Sequence, residues 1–360
     1  MTRWLILAAA AALPLAAIPG FDLAATKNAA FLLLGALGVL ALVRNPWVRG
    51  FAAWTLVAYL LAGAHGWALS AVLGVLAWAV LCDLARRLTE PAWRQVRLAL
   101  VASVLFQVAW VGLQLAGRDP VFSPLPTQGG VQPAAVGPWG WFGNEMDLSL
   151  YLGVALPLLM AVRPVWVGLV GSALTAATIL VILRTTVGAV AVGVTVLWLA
   201  WRWWPAWWSR GLSVGVVAGV GLGYLVLADP QGAGTRPLIW KQTAHLIGLR
   251  PFAGWGPNAV DRRVILLTPA TQLRWNYVFN EWLQAWLEFG VLAPLLAAGY
   301  LVALGRRLRG RVVSAGALVP ALAILLLASL FSIPLRIGPV ALLAALVLGR
   351  LDALTMEAPA

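Results

Sequence analysis

Residues 146–201 have the sequence MDLSLYLGVALPLLMAVRPVWVGLVGSALTAATILVILRTTVGAVAVGVTVLWLAW. Only three of these side chains are charged, Asp147, Arg163 and Arg184, and they separate three apolar runs. Each run approaches the ~20 residues that a helix needs to cross the hydrocarbon core of a bilayer. A backbone in lipid must satisfy its own hydrogen bonds, which a helix does within one segment. The sequence therefore predicts three consecutive transmembrane helices here.

The whole chain has the same character, with 62% hydrophobic and 10% charged residues and a mean hydropathy of +0.90. Soluble domains contain about 25% charged residues, so a soluble globular protein is excluded. Apolar segments occur at 4–20, 28–43, 50–64, 66–82, 97–116, 146–162, 165–183, 185–201, 211–228, 281–305, 313–331 and 335–350. We predict an all-α, polytopic membrane bundle of about twelve helices, forming one domain over residues 1–360. The first segment is expected to be an uncleaved helix rather than a cleaved signal peptide.

The basic residues indicate the orientation of these helices, because Lys and Arg in short loops collect on the cytoplasmic side. With the N-terminus inside, fifteen arginines fall in cytoplasmic positions: 3, 44, 49, 86, 87, 94, 97, 163, 202, 210, 306, 307, 309, 311 and 350. Short outer loops hold only Lys27, Arg118, Arg184 and Arg336. We therefore predict a bacterial inner-membrane protein with both termini in the cytoplasm.

Two predicted outer loops are long, residues 117–145 and the larger 229–280. The larger loop contains six basic residues, Arg236, Lys241, Arg250, Arg262, Arg263 and Arg274, against Asp229 and Asp261. This excess of positive charge suits an anionic ligand, since arginine binds phosphate groups in a bidentate way. Contact with anionic lipid headgroups or lipopolysaccharide is the alternative. The net charge of +13 does not indicate nucleic-acid binding, because the basic residues are scattered among apolar runs.

Other polar residues stand at predicted helix ends. Arg184 and Arg336 lie at outer ends, where a long side chain can reach the headgroup layer at little cost. Glu281, Gln284 and Glu288 share one face of the predicted helix 281–305. Such a stripe faces a cavity, a catalytic site or simply a neighbouring helix. With the single Cys82 and only two histidines in the chain, the sequence indicates neither a disulfide framework nor a cysteine or histidine metal cluster.

The large loop and the helix after it resemble the signature region of the O-antigen ligase and polymerase family. The matching residues are Arg236 and Trp240, then Pro251, Gly254 and Gly256, and then Asn280, Leu283, Glu288 and Gly290. Weaker similarities occur at Gly143-Asn144 and at Thr185-Thr186-Val187-Gly188. Two positions depart from the family pattern. Phe279 stands where its ligases have a histidine, and Val187 stands where an arginine is usual.

The resemblance implies a GT-C-like membrane glycosyltransferase that needs neither a cofactor nor a metal ion. Its donor would be a glycan on undecaprenyl diphosphate, and its acceptor the lipid A core, another glycan or a glycoprotein such as a pilin. It implies catalytic roles for Arg236 and Arg184 at the leaving group and for Glu281 as a base. It also implies substrate contacts from Arg250, Trp240, Asn280, Gln284, Gly254, Gly256 and Arg336, within a membrane whose lipids are further partners.

Two hypotheses from other functional classes are also consistent with the sequence. A transporter or flippase for a lipid-linked glycan would also have many spans, but it predicts charged or broken helices near the membrane midplane. A family member that has lost catalysis would be consistent with Phe279. A loss of function on substitution of Arg236 or Arg184 would favour the enzyme over both the transporter and the inactive family member.

Overall fold

The computed structural model describes residues 43–61, 69–119, 140–142, 144–203, 235–262, 266–267, 274–309 and 311–356. Its first helices are α1 (Pro46–Leu61), α2 (Leu69–Arg86), α3 (Glu90–Leu115), α4 (Glu145–Met160), α5 (Val165–Ala177, continued by a π-helical turn Thr178–Leu183) and α6 (Thr186–Trp203). Next come α7 (Thr235–Leu249), α8 (Ala259–Arg262), the two-residue strands β1 (Leu266–Leu267) and β2 (Arg274–Trp275), and α9 (Glu281–Phe289). The last are α10 (Leu292–Leu308), α11 (Val312–Ala315), α12 (Leu318–Phe331), a 3-10 turn (Pro334–Arg336) and α13 (Gly338–Met356).

The predicted all-helical class is confirmed, apart from the antiparallel pair that β1 and β2 form. Three described helices are long and apolar enough to cross a membrane: α3, α5 with its π-helical continuation, and α13. Residues 186–202 and α12 are apolar but shorter. The predicted segments 4–20 and 211–228, and all but the last residue of 28–43, lie outside the described residues.

The prediction of one continuous span over residues 281–305 is wrong. Helix α9 ends at Phe289, Gly290 adopts a left-handed φ of +75°, and α10 begins at Leu292. A helix of nine residues rises roughly 13 Å, which is too short to cross a bilayer. Helix α9 is therefore a separate short element that precedes α10.

The segment 313–331 is also divided, into α11 and α12, with Gly316 between them at a φ of +52°. The last predicted segment, 335–350, is a 3-10 turn followed by α13, which continues to Met356. In both cases the apolar run conceals a turn, because hydropathy alone carries no information on backbone direction.

Helix α13 lies at the centre of the bundle. Residues 338–353 of this helix are all buried, so it is surrounded by protein along most of its length. Its closest partner is α2, where a Cβ on Gly349 would lie only 2.3 Å from the carbonyl oxygen of Cys82. Glycine at this position lets the two helix backbones approach each other, which is a common device in membrane helix packing.

Several of the arginines predicted to be cytoplasmic meet at one end of the bundle. The buried carboxylate of Asp352 accepts hydrogen bonds from Arg307 Nη1 at 2.8 Å and from Asn45 Nδ2 at 2.7 Å. Arg86 lies 3.6 Å from the same carboxylate, and Asp83 accepts the backbone N–H of Arg44 at 2.9 Å. The helix ends that carry these residues are therefore on the same side of the bundle, as alternating helix directions require.

Candidate functional site

The site is organised by residues 250–258, which follow α7 and which we call the glycine turn. This turn lies against the C-terminal end of α9. The N–H of Trp255 donates to the carbonyl of Leu287 at 2.8 Å, and the N–H of Gly256 donates to that of Glu288 at 2.9 Å. These bonds satisfy carbonyls that the end of a helix otherwise leaves without a partner. The two halves of the signature region, far apart in sequence, are thus joined by backbone hydrogen bonds.

Two glycines permit this close approach. A Cβ on Gly254 would lie 2.5 Å from the carbonyl oxygen of Glu288, and a Cβ on Gly290 would lie 1.8 Å from that of Phe252. Both residues also have a left-handed φ, +69° and +75° respectively, which is unfavourable for any residue with a side chain. Gly254 and Gly290 are therefore required by the geometry of this contact, while the substrate-binding role of Gly254 stays a prediction. Gly256 also has a positive φ, +98°.

Tryptophan side chains attach the glycine turn and α9 to their surroundings. Trp286 Nε1 donates to the carbonyl of Pro251 at 3.1 Å, and Trp255 Nε1 donates to that of Leu246 on α7 at 2.9 Å. Trp54 on α1 donates to the carbonyl of Phe289 at 2.7 Å. The role of Trp54 could not be found from the sequence, because it depends on α1 packing beside the end of α9.

Asn280 begins α9 and links it to a neighbouring helix. Its side-chain oxygen accepts the N–H of Leu283 at 3.0 Å, as the N-cap of a helix does, and its Nδ2 donates to the carbonyl of Leu330 at 2.9 Å. Asn144 caps α4 in the same way, through the N–H of Met146 at 2.8 Å. Asn280 is therefore a positioning residue for the helix that carries Glu281, Gln284 and Glu288.

The predicted polar stripe of α9 is present, and its three members differ in environment. Gln284 and Glu288 are fully buried. Gln284 Nε2 donates to Glu288 Oε1 at 2.9 Å, while its Oε1 accepts the N–H of Val278 at 3.1 Å. The amide of Gln284 and the carboxylate of Glu288 are thus held by hydrogen bonds in the interior of the site. Glu281, one turn earlier, is only partly buried.

Arg336 forms an ion pair with Glu288. The sequence placed this arginine at an outer helix end as a candidate substrate contact, whereas the structure shows its charge balanced by a fully buried carboxylate. The signal that could have revealed the pair is Glu288 itself, since a carboxylate inside an apolar segment needs a cationic partner.

Glu281 lies beside this pair, and its Oε2 accepts the N–H of Leu335 at 3.2 Å. Helix α9 is outside the candidate membrane spans. Burial raises the pKa of Glu281 to about 7, an effect that the nearby positive charge of Arg336 partly offsets. A carboxylate with such a pKa is half-ionised near neutrality, which is the range in which general bases operate.

Arg236, near the start of α7, faces the segment that leads into α9. Its guanidinium carbon lies 5.8 Å from the centre of the Phe279 ring, a cation–π distance. Trp240, one turn later, donates from Nε1 to the carbonyl of Val278 at 2.9 Å. Phe279 has a left-handed φ of +56°, a costly conformation for a bulky residue that concentrates at functional sites. Arg236, Phe279 and Glu281 therefore belong to one local arrangement.

Arg250 and Arg184, the other two arginines predicted to act on the leaving group, have different surroundings from Arg236. Arg250 is exposed and is placed 4.6 Å from the centre of the Trp255 ring, so it belongs to the glycine turn. Arg184 is exposed, has a left-handed φ of +51° and donates from Nε to the carbonyl of Val181 at 2.9 Å. Among the described residues, no hydrogen bond or ion pair joins Arg184 to the other predicted site residues. The side chains of Arg262, Arg263 and Arg274 lie outside the described part of the structure.

A cavity of about 520 Å³ opens beside Glu281 and Arg336. It lies between α1, α2, α9, α10, α12 and α13, and its described walls are mainly apolar and aromatic. Trp282, beside Glu281, lines it and donates from Nε1 to Ser329 Oγ at 2.9 Å. This cavity is not evident from the sequence, because its walls come from six helices distributed along the chain.

Comparison with known families agrees with the motif arrangement. Residues 171–298 match the family model described as O-antigen ligase. This segment of the chain is therefore similar to the O-antigen ligase family. No curated protein matches the chain.

The segment that matches the O-antigen ligase family includes Arg184, α7, the glycine turn and α9. Arg336 and most of the cavity walls lie beyond it. Together, the family and the apolar helices indicate a membrane protein with a glycosyltransferase-like function.

Proposed function

We propose that this protein is an O-antigen ligase-like glycosyltransferase that transfers a glycan from undecaprenyl diphosphate to an acceptor hydroxyl on the outer side of the bacterial inner membrane. The observation that carries the proposal is the contact between the glycine turn and α9. This contact fixes α9, which begins at Glu281, and the guanidinium of Arg236 lies over the ring of Phe279, two residues before Glu281. A cation for the leaving group and a base for the acceptor are thereby close together.

The reaction needs these two functions. The acceptor oxygen forms a bond to the anomeric carbon from the face opposite the diphosphate, the bond from that carbon to the diphosphate oxygen breaks, and the configuration is inverted. Negative charge grows on the departing diphosphate, where Arg236, with support from Arg250 and Arg184, stabilises it. The acceptor proton passes to the carboxylate of Glu281.

Glu281 supports this proposal despite the absence of the family histidine at position 279. The carboxylate lies two residues after Phe279, and its pKa of about 7 gives it a basicity close to that of an imidazole. Phe279 keeps a structural role instead, since its ring packs beside the guanidinium of Arg236.

The test uses purified protein in nanodiscs with a glycan on undecaprenyl diphosphate as the donor. Lipid A core, a free glycan and a pilin are offered in turn as acceptors, with an Arg236→Ala variant as the blank. Transfer to one acceptor by the wild type and none by the variant is expected. If donor binds and no acceptor is glycosylated, the protein is a non-catalytic family member, and if donor does not bind, the proposed function is wrong.

A further inference from the structure

The cavity beside Glu281 has a polar end and an apolar body. Asn276, Tyr277, Glu281, Ser329 and Arg336 lie at the polar end. Helix α13 lines the cavity from Gly338 to Leu348, a rise of roughly 15 Å along a helix axis. The far part is lined by Trp47, Trp78, Tyr300 and Leu348. Such a shape suits a molecule with a polar head and an apolar chain.

The described charges at the polar end do not favour the donor diphosphate as the head of the ligand. Glu281 and Arg336 are the only carboxylate and cation among the described lining residues. Arg336 is already ion-paired with Glu288, which is buried directly behind it. With Glu281 ionised, the three groups together carry one net negative charge, so a diphosphate here would be repelled.

The cations that suit a diphosphate are elsewhere. Arg236 and Arg250 on and after α7 are not among the described residues that line the cavity; they face Phe279 and Trp255. The site therefore has a cationic part outside the cavity and an acidic part at its polar end. The two substrates of a transfer reaction, an anionic donor and a hydroxyl-bearing acceptor, need such a division.

We propose, on the basis of the function proposed above, that the cavity binds the acceptor and that the acceptor is a glycolipid with an uncharged sugar head and a single apolar chain. The chain fills the apolar body, and a sugar hydroxyl lies beside Glu281. The side chain of Asn276 offers hydrogen-bonding groups to another hydroxyl, and the ring of Trp282 offers a flat face for the sugar. The hydroxyl proton goes to Glu281 as the new glycosidic bond forms and the diphosphate leaves.

Binding can be measured without donor and without turnover. The probe is dodecyl β-glucoside with a diazirine at the end of its chain, added to the full chain in phosphatidylcholine nanodiscs, with the photo-labelled residues located by mass spectrometry. Labelling at Trp47, Trp78 or Leu348, reduced by excess dodecyl glucoside but not by dodecyl diphosphate, is expected. Labelling confined to lipid-facing residues, or stronger competition by the diphosphate, would overturn the proposal.

A matched pair of variants on α10 tests occupancy of the cavity. Ala297 lines the cavity, whereas Ala298 is not among its described lining residues. Ala297→Trp should reduce labelling at least tenfold, and Ala298→Trp should reduce it less than twofold. Ala71 on α2 also lines the cavity, so Ala71→Leu tests occupancy independently if Ala297→Trp does not fold. Equal labelling in all three variants would contradict the proposal.

The two proposals fail in different ways. If the probe labels the cavity but no glycan is transferred to any acceptor, the proposed function fails and the lipid site remains. If transfer to a protein or lipid A acceptor proceeds normally in Ala297→Trp and Ala71→Leu, the enzyme is established and the acceptor assignment is wrong.

Discussion

Two carboxylates on α9, Glu281 and Glu288, lie near one arginine, and only Glu288 forms the ion pair with it. Because only one of them is ion-paired, Glu281 and Glu288 have different roles. Glu288, fully buried and held by Gln284 as well, fixes Arg336. Glu281 accepts the N–H of Leu335, lines the cavity and has the raised pKa.

The raised pKa of Glu281 predicts the pH dependence of transfer. The base form is the carboxylate, so the rate should be constant above a pH of about 7 and should fall about tenfold for each pH unit below it. Glu281→Gln should lower the rate about 100-fold or more and remove this dependence. The measurement is the initial transfer rate between pH 5 and 9. An unchanged profile in Glu281→Gln would show that another group titrates.

The ion pair of Glu288 and Arg336 predicts a non-additive effect on stability. Removing one partner of a buried pair leaves an uncompensated charge, which costs about 3–5 kcal/mol. Glu288→Gln and Arg336→Gln should each lower the apparent melting temperature in nanodiscs, and the double variant should lower it less than the sum of the two single changes. Additive losses would mean that the two side chains do not interact.

For the individual residues, the sequence predicted the polar stripe of α9, because the 3.6-residue period of a helix places positions 281, 284 and 288 on one face. It did not predict that Glu288 pairs with Arg336, since the two residues are separated by 48 positions. Such a pairing depends on how α9 packs against α12 and α13.

Among the elements, the glycine turn and α9 form the contact on which the site depends. The sequence supplied the residues of both motifs, but not the hydrogen bonds between them. It also predicted one span over 281–305, because an apolar run with one glycine does not differ in hydropathy from a continuous helix. The break at Gly290 becomes evident only when the close approach of Phe252 is known.

Gly290→Ala should separate the glycine turn from α9. The new Cβ would need to displace the backbone of Phe252 and would hold a residue with a side chain at a positive φ, at a cost of about 2–4 kcal/mol. We expect faster proteolysis within the large loop and a transfer rate reduced at least tenfold. Both can be measured on the purified variant.

Gly248→Ala is the control for this experiment. Gly248 lies within α7, a Cβ there would meet nothing within 4 Å, and alanine is the better helix former. Its proteolysis and activity should remain as in the wild type. If Gly248→Ala and Gly290→Ala behaved alike, the contact between the glycine turn and α9 would not be the feature that matters.

For the whole molecule, the distribution of arginines implies that the bundle has a cytoplasmic end and an outer end. Asp83, Asp352, Arg86 and Arg307 meet at the end that is predicted to be cytoplasmic. Glu281 and Arg336 precede the helices α10 and α13 that lead toward this end. The sequence predicts this division, because the positive-inside rule depends on loop composition and not on packing. It could not predict the cavity, which six packed helices create together.

Cysteine labelling tests this orientation. In a Cys82→Ala background, Lys241→Cys on α7 and Arg306→Cys on α10 each introduce one exposed thiol. A membrane-impermeant maleimide is expected to label Lys241→Cys in cells whose outer membrane alone is permeabilised. It should label Arg306→Cys only after the inner membrane is opened. The reverse pattern would place the site on the cytoplasmic side and contradict the proposed donor.

The most direct measurement of the central claim compares two cations on the same helix. Arg236 faces Phe279 beside the proposed reaction site, whereas Lys241 is exposed five positions later. In single-turnover transfer from a glycan on undecaprenyl diphosphate, Arg236→Ala should lose about 100-fold to 1,000-fold in rate. Lys241→Ala, which removes the same charge, should lose less than threefold. Equal losses in the two variants, or full activity in Arg236→Ala, would contradict the assignment of Arg236 to the leaving group.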